Sequence, residues 1–169
     1  MEARRESEPT PMKNRTTVER KSDREVVVTR TFNGPARIVF EAWTKPELFK
    51  RWWLPKSMSM FLRSCEIDAR AGGTYRLEFE PDGMAFFGTY KEVTPHSRLV
   101  WTNEEGDEGS VTTVTFEEKG GKTLLVLHEL YPSKEALDAA GTGAADAMVE
   151  TFAQLDELLL TLGAGAGRP

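Results

Sequence analysis

The sequence predicts an α+β domain: a curved antiparallel sheet of about seven strands, in the order β-α-α-β6-α, wrapped around a long C-terminal helix. Two periodicities carry this reading. Between Leu62 and Leu130 apolar side chains recur at every second residue in six segments separated by turn residues, and between Ala144 and Leu162 they recur every 3.6 residues. A sheet of that size must bury one face, and the terminal helix is the available cover.

The elements follow in order. Glu25 to Phe32 (EVVVTRTF) is β-branched and aromatic and reads as a strand, which Asn33-Gly34 breaks. Pro35 suits the first position of a helix, and Val39, Ala42 and Trp43 share one face of it. Lys45-Pro46 interrupts, and Pro46 starts a second short helix through Trp53 that ends at Leu54-Pro55. From Leu62 the period is two: Cys65, Ile67 and Ala69 alternate with Glu66, Asp68 and Arg70, and after Gly72-Gly73 Tyr75, Leu77 and Phe79 alternate with Arg76, Glu78 and Glu80. Asp82-Gly83 is a strong hairpin signal, since both central residues of a type I′ turn need positive φ. Strands follow at Met84 to Val93, Arg98 to Asn103, Val111 to Glu118 and Thr123 to Leu130, with an acidic loop at Glu104 to Gly109 and a turn at Gly120-Gly121. In the last helix Met148, Phe152, Leu155, Leu159 and Leu162 form one stripe.

Composition bounds the function. The chain has 169 residues, 22 basic and 27 acidic, for a net charge of −5. That length fits one domain with tails. Residues 1–23 are charged, carry two prolines and lack an apolar run, so they read as a disordered arm rather than a signal or transit peptide. Residues 24–162 form the folded unit, and residues 163–169 (GAGAGRP) a flexible tail. Residues 1–24 carry seven basic and five acidic groups, or +2, which leaves −7 on the remainder and discourages nucleic acid. No apolar run is long enough to insert into a membrane. The single cysteine, Cys65, excludes an internal disulfide framework and points to a reducing, cytoplasmic setting.

Taken together, Arg30-Thr31-Phe32-x-x-Pro35, Val39-Phe40-x-Ala42-Trp43-Thr44-x-Pro46, Arg51-Trp52-Trp53-x-Pro55, Asp68-x-Arg70-x-Gly72-Gly73, Gly88-x-Tyr90-x-Glu92-Val93-x-Pro95, Arg98-Leu99-Val100 and Thr113-Val114-Thr115-Phe116 resemble the activator-of-heat-shock-protein-90-ATPase homologue family. That family belongs to the START-like, or SRPBCC, superfamily, and the resemblance covers about Arg24 to Leu162. It implies the helix-grip fold, with a cavity between the sheet and the C-terminal helix, and a binder of a small apolar or aromatic, lipid-like molecule. Some relatives are co-chaperones, so the resemblance also leaves open an activator of a chaperone ATPase. Others in the superfamily leave open a cyclase- or hydrolase-type enzyme using the same cavity. The family often has a Trp on the inner face of the last helix; aligning Phe152 and Leu155 with its leucines puts Met148 there, which changes the shape of the pocket.

The expected cavity residues are Trp43 and Trp52 from the short helices, Tyr75, Leu77, Phe86, Gly88, Tyr90 and Trp101 from the first sheet strands, Val114, Phe116 and Leu125 from the later ones, and Met148, Phe152 and Leu155 from the last helix. Tyr and Trp tips would be its polar handles, because buried tips need partners. No catalytic residue, metal site or cofactor is expected. Cys65 has no adjacent His or Lys, and the two histidines, His96 and His128, lack a named partner. Glu66, Asp68, Glu78 and Glu80 read as the solvated face of the sheet. The acidic loop lacks an EF-hand spacing, and Gly141-Thr142-Gly143 lacks a phosphate-loop spacing. In Leu124-Leu125-Val126-Leu127 both strand faces are apolar. Leu124 and Val126 are either scattered exposed residues or the site where the N-terminal arm or a second subunit of a homodimer packs.

Overall fold

Alternation builds one antiparallel sheet of eight strands. Its strands are β1 (Thr17–Arg20), β2 (Glu25–Phe32), β3 (Phe61–Ile67), β4 (Thr74–Glu80), β5 (Ala85–Thr94), β6 (Arg98–Thr102), β7 (Val111–Lys119) and β8 (Lys122–Leu130). They lie in the order β1-β2-β8-β7-β6-β5-β4-β3. The structure is a computed structural model that describes residues 16–53, 61–80, 85–104, 109–140 and 143–166. Asp82-Gly83, Leu54-Pro55, the centre of the acidic loop and Gly141-Thr142 lie outside those residues.

The expected strands are all present, and β3 to β8 run as a meander. Gly120 and Gly121, at φ +59° and +79°, close the two-residue turn between the paired Lys119 and Lys122, as a type I′ turn requires. Register shifts between Leu62 and Ser64 and between Tyr90 and Glu92 mark bulges, which bend strands. β2 closes against β8, with Arg30 opposite Leu125. One strand corrects the sequence reading: Thr17–Arg20, assigned there to a disordered arm, pairs antiparallel with β2 from Thr17↔Thr29 to Arg20↔Val26. It joins the sheet edge instead of crossing the outer face. Leu124 and Val126 are half-buried there, opposite Thr31 and Thr29 of β2, so the described part of the arm does not cover them.

Four helices accompany the sheet: α1 (Ala36–Thr44), α2 (Pro46–Phe49), α3 (Lys134–Ala140) and α4 (Gly143–Ala166). Pro46 drives Lys45 out of the helical region to φ −96°, ψ 119°, ending α1 and starting α2. The free N–H of Ala36 at the start of α1 donates to Glu118 Oε1 of β7 at 3.0 Å, which meets one orphan donor and places a carboxylate at the helix N-terminus. α3 has no counterpart in the sequence reading, because seven residues with Leu137 fully buried give too short a period to register. Ser133 Oγ accepts from Ala136 N at 3.0 Å and caps it. α4 continues to Ala166, past the expected start of the tail at Gly163. No described helix is long and apolar enough to cross a membrane.

α4 lies against α1, β1 and β2. Its stripe is buried at Phe152, Leu155 and Leu159 as expected, with Leu158 added. Beside the stripe sits a buried ion pair. Arg30, on the inner face of β2, donates through Nη2 and Nε to Asp156 Oδ2 at 2.7 and 3.2 Å. Their side chains are only 9% and 14% exposed. Asp156 Oδ1 also accepts from Asn33 N at 3.3 Å, and Arg30 Nη1 donates to Thr16 at 2.9 Å. Together these elements give the helix-grip arrangement.

Removing one partner of a buried pair strands the other charge. Asp156→Ala is expected to lower stability by about 3–5 kcal/mol in urea unfolding. Arg98→Ala, which breaks the exposed Arg98–Glu92 pair (46% and 45% exposed), is expected to change it by less than about 1 kcal/mol. A loss at Asp156 no larger than that at Arg98 would show that the pair does not hold the helix.

Candidate functional site

On the inner face of the sheet an aromatic cluster around Phe152 lies beside a cavity at Met148. In that cluster Phe152 of α4 meets Phe32 at 5.4 Å, Trp43 at 6.1 Å and Trp52 at 6.2 Å, ring centre to ring centre. Trp52 Nε1 donates to Ala42 O at 3.0 Å, and its own carbonyl accepts from Gln154 of α4 at 3.0 Å, which ties the α2 end to both helices. Val114, Phe116, Leu125 and Leu155 are buried in the same core. These four, with Trp52 and Phe152, were expected at the cavity but do not line the one at Met148.

One turn earlier on α4, at Met148, the packing opens. A cavity of about 230 Å³ lies between Met148, the α1–α2 segment and the concave face of the sheet. Of the expected residues, Trp43, Tyr75, Leu77, Phe86, Tyr90, Trp101 and Met148 line it. Gly88 does not, although it stands between Phe86 and Tyr90 on the same face of β5. Its α-carbon abuts the Thr102 carbonyl, so any side chain there would collide with backbone.

The sequence reading missed the rest of the lining. Phe49 and Trp53 come from the α2 segment, where a helical stripe does not say which rings reach the sheet. Asn103, Ser110, Thr112, Glu129 and Tyr131 come from the strand ends nearest the loops. A signal for Glu129 was present, since the alternation that turns Leu125 and Leu127 inward continues to it. Thr112 and Glu129 face each other across β7 and β8.

These residues make one end of the cavity polar. The Tyr75 hydroxyl lies 3.0 Å from both Thr102 O and Asn103 Oδ1. Asn103 Nδ2 donates to Ser110 Oγ at 3.0 Å and Thr112 Oγ1 at 2.9 Å. The Tyr131 hydroxyl donates to Glu129 Oε1 at 3.3 Å. The opposite wall is rings: Tyr75, Tyr90 and Trp101 lie 5.9–6.2 Å from one another, and Trp101 lies 6.0 Å from Trp43. Burial pushes the Tyr90 phenol well above its ordinary range. The Trp43 indole N–H is buried without a partner among the described residues.

The other titratable candidates lie elsewhere. His128 Nε2 sits 2.8 Å from Glu25 Oε2 on the outer face of the sheet, and this contact holds the Glu25 carboxyl below its usual range. His96 turns a strand end at φ +68° and meets the edge of Phe40. Cys65 is half-buried on β3, and burial raises its thiol to about 11. Glu66 and Asp68 are exposed, and Glu78 pairs with Arg63 and Arg76 on the solvated face. No group of three His, Cys, Asp or Glu that could hold a metal ion occurs among the described residues.

Comparison with known proteins places this geometry. The family described as Activator of Hsp90 ATPase homolog 1-like protein matches residues 33–160. No curated protein matches. Among solved structures, a Rhodobacter sphaeroides protein superposes with a TM-score of 0.79 at 23% identity, covering 87% of this chain and 99% of its own. A Nitrosomonas europaea protein gives a TM-score of 0.74 at 23% identity, covering 85% and 99%. A Staphylococcus epidermidis protein gives 0.71 at 26% identity, covering 86% and 94%.

Cys65 and Tyr90 keep their protons to higher pH in the folded chain than in the unfolded chain, so ionisation favours unfolding. The Cys65 contribution is fully present below about pH 9, the ordinary value of the thiol, and is lost as the pH climbs through about 11; that of Tyr90 is lost only at higher pH. Urea unfolding is expected to show stability falling between pH 9 and 11. Cys65→Ser should reduce that fall by about 1 kcal/mol, the half-exposed setting being discounted. An identical fall in the variant would remove Cys65 from the account.

Proposed function

This chain belongs to the Activator of Hsp90 ATPase homolog 1-like family, and from that premise we propose that it binds a small apolar or aromatic molecule in the cavity beneath Met148. The single observation that supports this most is the 230 Å³ space itself, walled by rings where a family Trp would otherwise stand. A partly open recess lined mostly by rings with a few polar groups is the usual form of a small-molecule site. The volume is below the ~300–1,000 Å³ of pockets for drug-sized ligands, so the occupant is a one- or two-ring molecule rather than a sterol or long acyl chain.

Binding would be partition of apolar surface into a partly preformed site, with Tyr and Trp tips setting orientation. Burying about 150–250 Å² of ligand at ~25 cal/mol per Å² gives roughly 4–6 kcal/mol before the cost of association. Affinity is therefore expected to be weak, on the order of 0.1–1 mM at best once the cost of association is subtracted. A chaperone-activating role would act through the surface, and no described surface feature supports it as the cavity supports binding. Cyclase- or hydrolase-type chemistry would have to run through Glu129 and the tyrosines, the titratable groups among the described lining residues.

Titration calorimetry with 2-(2-naphthyl)ethanol, a neutral two-ring probe, is expected to give saturable binding at one site. Met148→Trp, which puts a ring into the cavity, is expected to weaken it at least about tenfold while thermal unfolding stays cooperative. A folded wild-type chain that takes up no such probe would overturn the reading.

A further inference from the structure

Two hydroxyls at the polar end of the cavity hold protons that nothing accepts. Ser110, just before β7, and Thr112, within it, share one face of the chain, and both line the cavity. They are almost fully buried, at 6% and 1% exposed. Asn103 Nδ2 donates to Ser110 Oγ at 3.0 Å and to Thr112 Oγ1 at 2.9 Å, which occupies a lone pair on each oxygen. Neither hydroxyl has an acceptor for its own proton among the described residues.

Asn103 makes them a donor pair. Its Nδ2 also donates to the main-chain Ser110 O at 3.3 Å, and its Oδ1 takes the Tyr75 hydroxyl at 3.0 Å. A main-chain oxygen can only accept, so it fixes which way the amide faces. The two N–H bonds diverge at a trigonal nitrogen. The hydroxyl oxygens therefore stand far enough apart for one acceptor to sit between them and close enough for it to reach both. A hydroxyl that already accepts a hydrogen bond is also the stronger donor.

The other polar groups of that end are engaged with one another. The Tyr75 hydroxyl is used on the Thr102 and Asn103 oxygens, and the Tyr131 hydroxyl on Glu129. The Trp43 indole N–H is a further donor of the lining without a partner among the described residues. A carbonyl oxygen suits Ser110 and Thr112, because it has two lone pairs and brings no proton that needs an acceptor in turn.

Resting on the reading of this cavity as a ligand site, we propose that Ser110 and Thr112 form a subsite for a carbonyl oxygen, so that the cavity takes aromatic ketones. In this arrangement the carbonyl lies between the two hydroxyls and its ring system lies against Tyr75, Tyr90 and Trp101.

Protein NMR titration of the full chain with 1-indanone and with indane, the same fused frame without the oxygen, tests this. The wild-type chain is expected to bind the ketone at least as tightly as indane, although the ketone gives up its bonds to water. In Ser110→Ala/Thr112→Val the ketone should weaken about tenfold, through the loss of two hydrogen bonds, while indane stays within about twofold. An unchanged ketone affinity in the folded variant would overturn the proposal, as would a wild-type chain that takes indane about tenfold tighter. The wild-type chain also answers without the variant. The carbonyl carbon-13 resonance of bound 1-indanone is expected downfield of its position in an alkane solvent, and the alkane position would overturn the proposal. If neither compound binds while 2-(2-naphthyl)ethanol does, this proposal falls and the cavity reading stands. If none of the three binds, both fall.

Discussion

Among the described residues a buried ion pair joins the last helix to the sheet. Arg30 stands on the inner face of β2, in a run of otherwise apolar inward residues, and Asp156 reaches it from α4 at 2.7 Å. A guanidinium in that position is tolerable only with a carboxylate against it. The same carboxylate takes Asn33 N from the turn before α1, so helix, strand and turn meet at one point. The helix rests on β1, β2 and α1 around this point. The other side of the sheet, from β3 to β6, needs a different cover, and the rings of α1 and α2 supply it.

The cavity arises between those two covers. Bulky rings meeting edge to face, such as Trp43 against Trp52 at 4.9 Å, cannot slide into every corner without clashing. Space is left where α4 offers the slender Met148 in place of a ring, and where the inward positions of β7 and β8 change from Val114 and Leu127 to Thr112 and Glu129. A hollow with a ring-lined wall and an acidic end results from the positions of three elements and is not a property of any one of them.

Much of this was legible in the chain. Each meander strand shows its period because a half-buried strand must alternate. The α1 break shows because proline excludes the helical region in the residue before it. The inward face of Tyr75, Leu77, Tyr90 and Trp101 follows from that alternation. Phe152, Leu155, Val114 and Phe116 could be read as inward but not as enclosed or open, since alternation gives a face and not the distance to the next layer. β1 was hidden for a related reason: TVER has no apolar period and is a strand because the β2 edge offers it hydrogen bonds.

The sequence by itself determined the α+β class, the order of the elements, the long terminal helix and which side chains turn inward. These depend on local backbone preference and on the period of apolar residues, both of which lie along the chain. Only the tertiary structure decided that the arm adds an eighth strand, that Arg30 and Asp156 meet, and that the space opens at Met148 but closes at Phe152. Those outcomes depend on which residues distant in sequence become neighbours, and pairs such as 30 with 156 or 75 with 103 leave no mark in a local pattern.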